Sequence, residues 1–237
     1  MDKKNISGRD DETAFVQGTL YPWISLNHLQ IDADQIELVK RIGTTKVYKA
    51  GAVIHGYGEK KEGFYFLHQG EVSAGILATN GLEKTIFIFE PPCYVGEVLY
   101  FTNKISNMIV TAVKDSRVTF LNREAVDQLL DNRQFCETMV RFLTRKVYTI
   151  VDQITDQFAL TPLERVYKIL VFYGETFGNR ESEQIAIQIS QEKIADITGL
   201  HRVTVARMIK ELRRLGVVRK VSKAQIVLNR QKISSQV

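Results

Sequence analysis

The sequence is poor in cysteine and has no long apolar run. Its 237 residues contain only two cysteines, Cys93 and Cys136, and two thiols cannot form the disulfide framework of a small secreted domain. No apolar stretch reaches the ~18 residues that a membrane-spanning helix needs. The first residues, MDKKNISGRDDETAF, lack the apolar segment of a signal peptide. These absences favour a cytoplasmic protein that does not bind a membrane.

Histidine, a common metal ligand, is also scarce. Two of the four histidines, His55 and His68, fall in the glycine-rich middle of the chain, but they are thirteen residues apart. A β-barrel metalloenzyme of the cupin type would need tightly clustered His and Glu ligands. We therefore expect no metal, no cofactor and no catalytic residues, and the cupin-like metalloenzyme is the weaker alternative.

Positive charge is concentrated at the C-terminal end of the chain. Residues 189–237 hold 11 Lys or Arg and 3 Asp or Glu, a net charge of +8, whereas the rest holds 21 and 24, a net charge of −3. An acidic body joined to a basic module is typical of a nucleic-acid-binding protein. A solvated basic tail would show the same charge, so the predicted structure of this segment has to distinguish a binding module from a tail.

The middle of the chain, from Thr45 to about Leu121, has the pattern of many short strands. Runs of β-branched and aromatic residues, such as FYFL and TIFIF, alternate with glycines at turn-like spacing. This pattern is typical of a β-sandwich or barrel. The Asn80-Gly81 pair is its strongest hairpin signal. A few helical turns are expected before these strands, within residues 18–42.

Residues 133–159 follow the period of one long helix. Three aromatic or sulfur-containing residues, Phe135, Met139 and Phe142, form one stripe along it. A second stripe has heptad spacing and consists of Cys136, Val140, Leu143, Val147, Ile150 and Ile154. Two adjacent stripes are hard to bury against one small domain, so we expect a homodimer through residues 136–154. The alternative is a monomer with a single wide core face.

The C-terminal segment predicts a winged helix-turn-helix module. Ser190 is a suitable N-cap for a helix that ends at Gly199, where glycine permits the left-handed conformation. A second helix from about Arg202 to Leu215 and the hairpin VVRKVSKAQIVL follow. Two helices, a tight glycine turn and a hairpin define this module, whose second helix enters the major groove of DNA.

The helical phase assigns roles to the polar residues of the module. Arg202, Val203 and Arg207 fall on the outer face of the second helix. An arginine there can bind guanine O6 and N7, whereas a valine can only contact a thymine methyl. His201 is either a poor cap or a phosphate contact. The residues suited to phosphate contacts are Ser190, Gln191, Thr204 and Lys210.

In this order, the parts of the chain resemble the CRP/FNR family of bacterial transcription regulators. The resemblance covers about Thr45 to Leu228 and is carried by FYFLHQGEVSAG, VGEVLYF and ISQEKIADITGLHRVTVARMIKELRRLGVV. It implies an α+β fold with a cyclic-nucleotide-binding-type β-roll (a double-stranded β-helix) in 18–132, a dimerisation helix in 133–159 and a winged helix-turn-helix in 160–237. It also implies an effector-responsive homodimer that binds an inverted repeat in double-stranded DNA and acts on RNA polymerase.

The sequence departs from the cyclic-nucleotide binders of this family. Those proteins follow the Gly-Glu turn, here Gly96 and Glu97, with an Arg-Ser or Arg-Thr pair that holds the phosphate. Here Ser106 and Asn107 stand at the matching positions, and a buried phosphate without its cation is costly. Val203 replaces the glutamate common in the family, which favours an A/T-rich site. A cyclic-nucleotide-sensing regulatory protein is therefore the alternative, and a different small-molecule effector is expected.

Within the family, the sequence is most similar to the halophenol-sensing regulators of dehalorespiring bacteria. The stretches FLTRKVY and HRVTVAR carry this resemblance, and the segment Leu20–Pro22 with Trp23 matches an N-terminal aromatic segment of these regulators. It implies that Arg145 or Lys146 meets a phenolate or carboxylate, that Tyr148 and Trp23 line an aromatic pocket, and that Asn107 adds a hydrogen bond. Gly96 and Glu97 complete the expected effector-binding set. Otherwise the two cations are charges at the flank of the dimer interface.

Overall fold

The computed structural model describes residues 33–234 except 80 and 179–181, together with 23–24 and 31. Three sequence predictions lie outside the described part: the aromatic segment at Leu20–Pro22, Asn80 in the predicted hairpin, and the side chain of Trp23. No helix of the described residues is both long enough and apolar enough to cross a membrane.

Two sheets form the N-terminal β-roll. Their strands are β1 (Trp23–Ile24), β2 (Thr44–Tyr48), β3 (Val53–His55), β4 (Gly63–Gln69), β5 (Val72–Leu77), β6 (Glu83–Phe89), β7 (Cys93–Val95), β8 (Ile109–Ala112) and β9 (Ser116–Asn122). The first sheet has the order β1-β6-β5-β8-β3 and the second the order β2-β9-β4-β7. The predicted hairpin joins β5 to β6, with Leu77 opposite Glu83.

Among the described residues, four helices accompany the roll, and the last of them is long. They are α1 (Ala33–Ile42), α2 (Glu97–Thr102), α3 (Arg123–Leu130) and α4 (Arg133–Ala159). Phe135, Met139 and Phe142 of α4 pack into the core of the roll, so this stripe is the one that the roll buries. Val140 and Val147 of the other stripe are 64% and 61% exposed.

The C-terminal module is a winged helix-turn-helix. Its elements are α5 (Pro162–Phe177), β10 (Gln184–Gln188), α6 (Gln191–Thr198), α7 (Arg202–Arg214), β11 (Val218–Val221), β12 (Gln225–Asn229) and α8 (Arg230–Ser234). The three strands form an antiparallel sheet in the order β10-β12-β11. Gly199 ends α6 in the left-handed conformation with a φ of 67°. The predicted α+β fold class is thereby confirmed.

Side-chain caps fix where several helices begin. The Asn122 side chain accepts a hydrogen bond from the Ala125 N–H at the start of α3, and Ser190 does the same for Lys193 at the start of α6. Thr161 and Glu164 form a capping box at the start of α5. Each of these bonds satisfies an N–H group that the helix itself leaves without an acceptor.

Candidate nucleic-acid interface and effector site

The second helix of the helix-turn-helix, α7, turns its basic face away from the module core. The core side of α7 is formed by Val205, Ile209 and Leu212. On the other side Arg207 is exposed and the side chain of Val203 is 72% exposed. Arg202 is exposed as the first residue of α7. The helical phase deduced from the sequence therefore agrees with the burial of the side chains.

The N-terminal half of α7 is electropositive. Its first turn contains no acidic residue, and His201 occupies the N-cap position without a side-chain hydrogen bond to the described part of the helix. The N-terminus of a helix carries a partial positive charge, which adds to the charge of the arginines. The one carboxylate of α7, Glu211, binds Arg214 at 2.7 Å near the other end. A polyanion would therefore meet little repulsion at this end.

The four residues predicted to contact phosphate occupy different environments. The Ser190 hydroxyl accepts a hydrogen bond from the Lys193 N–H at 3.0 Å, so it already serves as a cap. The Thr204 hydroxyl accepts from Arg207 Nη2 at 3.4 Å. Gln191 is partly exposed in the first turn of α6, and Lys210 is exposed on α7.

A buried ion pair joins the long helix α4 to the β-roll. Lys146 Nζ lies 2.6 Å from Glu97 Oε1, and the two side chains are 6% and 0% exposed. Gly96 precedes Glu97 with a φ of 92°, a conformation that glycine adopts without strain. The second carboxylate oxygen, Glu97 Oε2, is buried without a hydrogen-bond partner among the described residues. The site therefore has one acceptor that a ligand could use.

Aromatic rings surround the ammonium group of this pair. Lys146 Nζ lies 4.7 Å from the ring centroids of Phe89 and Phe142 and 5.3 Å from that of Phe87. Cation–π attraction at such distances stabilises an ammonium that is not in contact with water. The sequence reasoning did not include Phe87 and Phe89 in this site. The two phenylalanines of TIFIF are two positions apart, and this spacing indicates that they share one face of the strand.

The remaining residues of the expected effector set are not gathered at the ion pair. Asn107 is exposed, and the Tyr148 side chain is 53% exposed. Arg145 is half-buried, and burial lowers the pKa of its guanidinium. Ser106, at the place of the missing arginine, is 1% exposed, and its hydroxyl donates to the Met108 carbonyl at 2.7 Å.

The two thiols occupy different environments. Cys93 is completely buried, and this burial raises the pKa of its thiol well above the ordinary range. Cys136 is partly buried, and its Sγ donates to the Leu130 carbonyl at 3.2 Å. Oxidation proceeds through an accessible thiolate, so the environment of Cys93 does not favour a redox role.

The two histidines of the β-roll form hydrogen bonds with other residues of the roll. His55 Nε2 lies 3.3 Å from the Glu59 carbonyl oxygen, and His68 Nε2 lies 2.6 Å from the Thr119 hydroxyl. Desolvation lowers the pKa of both imidazoles. Within the described part of the chain, no three His, Cys, Asp or Glu side chains are grouped as a metal site would need.

Removing one member of the buried ion pair should destabilise the protein more than removing both. Lys146→Met leaves a buried carboxylate without its cation, and Glu97→Gln leaves a buried ammonium, each at a cost of about 3–5 kcal/mol. The double variant Glu97→Gln/Lys146→Met buries neither charge and should recover most of this loss. Unfolding in urea, followed by circular dichroism, measures the three differences.

The exposed ion pair between Arg133 and Glu137, at 2.9 Å, supplies the control. Arg133→Met should cost less than about 1 kcal/mol, because water screens exposed pairs. A double variant whose loss equals the sum of the two single losses would show that Lys146 and Glu97 do not depend on each other.

Two family models match the chain, one in each part of the fold. Residues 45–133 match the cyclic nucleotide-binding domain, and residues 164–234 match the Crp-like helix-turn-helix domain. The CRP-like cAMP-activated global transcriptional regulator of Mycobacterium tuberculosis is 23% identical over 190 residues, which cover 79% of this chain and 85% of that protein.

Solved structures share the fold at lower sequence identity. The c-di-GMP responsive global regulator CLP of Xanthomonas campestris superposes with a TM-score of 0.75 at 17% identity, over 84% of this chain and 99% of that chain. OCPA-complexed CprK gives a TM-score of 0.66 at 20% identity, over 88% of this chain and 94% of that chain. With a cyclic nucleotide-binding domain followed by a Crp-like helix-turn-helix domain, the chain belongs to the CRP/FNR family of transcription regulators.

Proposed function

We propose that this chain is an effector-responsive regulator that binds an inverted repeat in double-stranded DNA as a homodimer. The observation that carries this proposal is the exposure of the arginines in the N-terminal half of α7, while Val205, Ile209 and Leu212 pack into the module core. Two copies of α7 related by a two-fold axis would enter successive major grooves about 34 Å apart. Such a dimer is positioned to act on RNA polymerase bound at the same promoter.

The exposed stripe of α4 supports the homodimer. Four of its residues, Val140, Val147, Ile150 and Ile154, are between 39% and 64% exposed. Leu143 lies at the edge of the stripe and packs partly against the roll. An apolar stripe of this extent marks an interaction surface, and its heptad spacing suits a second copy of the same helix. At 27 residues, α4 is about 40 Å long, enough for several layers of contact.

Two kinds of DNA contact are proposed for the helix-turn-helix. Arg202 and Arg207 read guanines, and Val203 contacts a thymine methyl, because these side chains are exposed on one face of α7. Contacts with phosphate set the position of the module on DNA, and we assign them to Ser190, Gln191, Thr204 and Lys210.

The buried ion pair argues against a cyclic nucleotide as the effector. Lys146 already neutralises Glu97, and the Ser106 hydroxyl is used by the turn in which it lies. The names of the relatives mention three different effectors, cAMP, c-di-GMP and OCPA. Family membership therefore does not identify the ligand, which has to be inferred from the side chains of this site.

We assign the effector to aromatic compounds that carry a hydroxyl donor, such as halogenated phenols. A neutral phenol can donate to Glu97 Oε2, the buried oxygen without a partner among the described residues, while its ring packs against Phe87 and Phe89. A phenolate would instead compete with Glu97 for Lys146. Tyr148 and Asn107, which are exposed, would join such a site only after a rearrangement, and Arg145 would border it.

A charge placed in the stripe should separate the dimer. Val147→Glu would bury a carboxylate between two helices and should weaken both dimerisation and DNA binding, since each half-site contact depends on the pair. Sedimentation velocity at micromolar concentration and a gel shift measure the two effects. Gln134→Glu adds the same charge on an exposed position of α4 and should change neither. A wild-type protein that sediments as a monomer would contradict the proposal.

The base preference should change when Val203 is replaced. Val203→Glu introduces a carboxylate that can accept from cytosine N4, so selection from a random DNA pool should return a G·C pair at the position that residue faces. Val203→Ala, the control, should weaken the preference for thymine without creating one for cytosine. The same half-site for wild type and Val203→Glu would show that this side chain does not face the bases.

The effector assignment separates phenols from their ethers. 2-Chlorophenol should raise the melting temperature, and at a hundredfold excess over Kd it should stabilise the protein by about 2.7 kcal/mol. 2-Chloroanisole has a similar ring but no hydroxyl donor, so its effect should be smaller. cAMP should have none. Equal shifts with the phenol and the ether, or a clear shift with cAMP, would overturn the assignment.

A further inference from the structure

Strand β6 lies between the effector site and the DNA-binding module. Its side chains alternate between two partners, as side chains of a strand do. Phe87 and Phe89 belong to the core of the roll and surround the Lys146 ammonium. Ile88, between them, is 0% exposed and belongs to the core of the C-terminal module. One strand is therefore shared by two hydrophobic cores.

Lys84, at the other end of β6, reaches the first helix of the helix-turn-helix. Its Nζ donates a hydrogen bond to the carbonyl oxygen of Ile197 in the last turn of α6. Its aliphatic stem packs on the turn, since a Cβ placed on Gly199 would lie 3.1 Å from Lys84 Cδ. The carbonyl end of a helix carries a partial negative charge that attracts a cation. The contact therefore ties β6 to the turn from which α7 begins.

The ammonium of Lys84 is held in a largely dry environment. Desolvation lowers the pKa of Lys84 to about 8, with a further lowering by Arg165 and an opposing effect from Asp156. Arg165 Nη1 lies 3.5 Å from the Thr198 carbonyl, in the same last turn of α6. An ammonium that has lost water depends on its remaining acceptors, so the position of Ile197 matters to Lys84.

The dimerisation helix also holds this strand. Gln153 Nε2 of α4 donates to the Ile86 carbonyl at 2.7 Å, and the Gln153 side chain lies seven residues beyond Lys146, on the same buried face of the helix. Within residues 84–89, strand β6 thus contacts the effector site, the long helix and the C-terminal module.

We propose that β6 couples the Lys146–Glu97 site to the orientation of α7, with Lys84 as the positioning residue. A ligand that displaces Phe87 or Phe89 has to move the strand that carries them, and the same strand carries Lys84 and Ile88. Its movement changes where α6 sits, and the short turn at Gly199 passes this change to α7. A regulatory role for this coupling rests on the proposed function, whereas the coupling itself rests only on the contacts of β6.

Amide hydrogen exchange on the full-length protein tests the contact directly. Lys84→Met keeps the length of the side chain and removes its donor, and should speed exchange in residues 191–199 about tenfold, the effect of one lost hydrogen bond to a charged group. Lys84→Arg restores a charged donor and should recover most of the protection. Lys60→Met, at an exposed lysine of the roll, is the control and should leave these residues unchanged. Unchanged exchange in Lys84→Met would overturn the proposal.

A second pair of variants tests transmission across the strand. Phe89→Leu and Phe66→Leu make the same change at buried positions, 2% and 0% exposed, on β6 and β4 respectively. Only Phe89→Leu should alter exchange in residues 191–199. Equal effects of the two variants would indicate a general loss of stability and would overturn the coupling. A wild-type protein that binds no DNA would contradict the proposed function. The two exchange experiments would still test the coupling, because they do not depend on DNA binding.

Discussion

The ion pair between Lys146 and Glu97 fixes the long helix on the β-roll. Two charges in an apolar environment are stable only while they remain paired, so α4 cannot rotate about its axis without separating them. Because the rotation of α4 is fixed, its buried face and its exposed face are fixed as well. The apolar stripe then faces outward, and Gln153 comes to lie against β6. The relation of the roll to the C-terminal module follows from this one constraint.

The buried face of α4 changes character along its length. Its N-terminal half is mostly apolar and packs into the roll. Its C-terminal half carries buried polar groups, with Gln153 bound to β6 and Asp156 bound to Lys168 of α5 at 2.8 Å. Polar contacts need a defined geometry and lose more when they are misaligned than apolar contacts do. The half of α4 that meets the DNA-binding module is therefore the half with the more directional contacts.

Local signals in the sequence predicted much of the fold. The cap at Ser190 and the left-handed Gly199 depend on residues a few positions apart, so a reading of the chain finds them. The strands of the roll and the phase of α7 follow from periodicity for the same reason. Lys146 and Glu97 are 49 positions apart, and no short-range pattern pairs them.

The candidate effector site was less predictable for a related reason. The apolar residues Phe135, Met139 and Phe142 show the stripe in the sequence. Its continuation at the same spacing does not stand out, because the next members, Lys146, Thr149 and Gln153, are polar. Likewise the two faces of β6 are both apolar, so the alternation of its side chains does not show that Ile88 belongs to a different core. Contacts between the modules depend on packing that only the folded chain reveals.

The exposed stripe of α4 has a consequence for how such a regulator responds to its own synthesis. If a second copy covers the stripe, the form that binds DNA is the dimer, which forms by association of two chains. While most chains are unpaired, mass action makes the amount of that species rise with the square of the chain concentration, so that halving synthesis lowers it about fourfold. Because of a few half-exposed side chains on one helix, the occupancy of target DNA changes more steeply than the concentration of the protein.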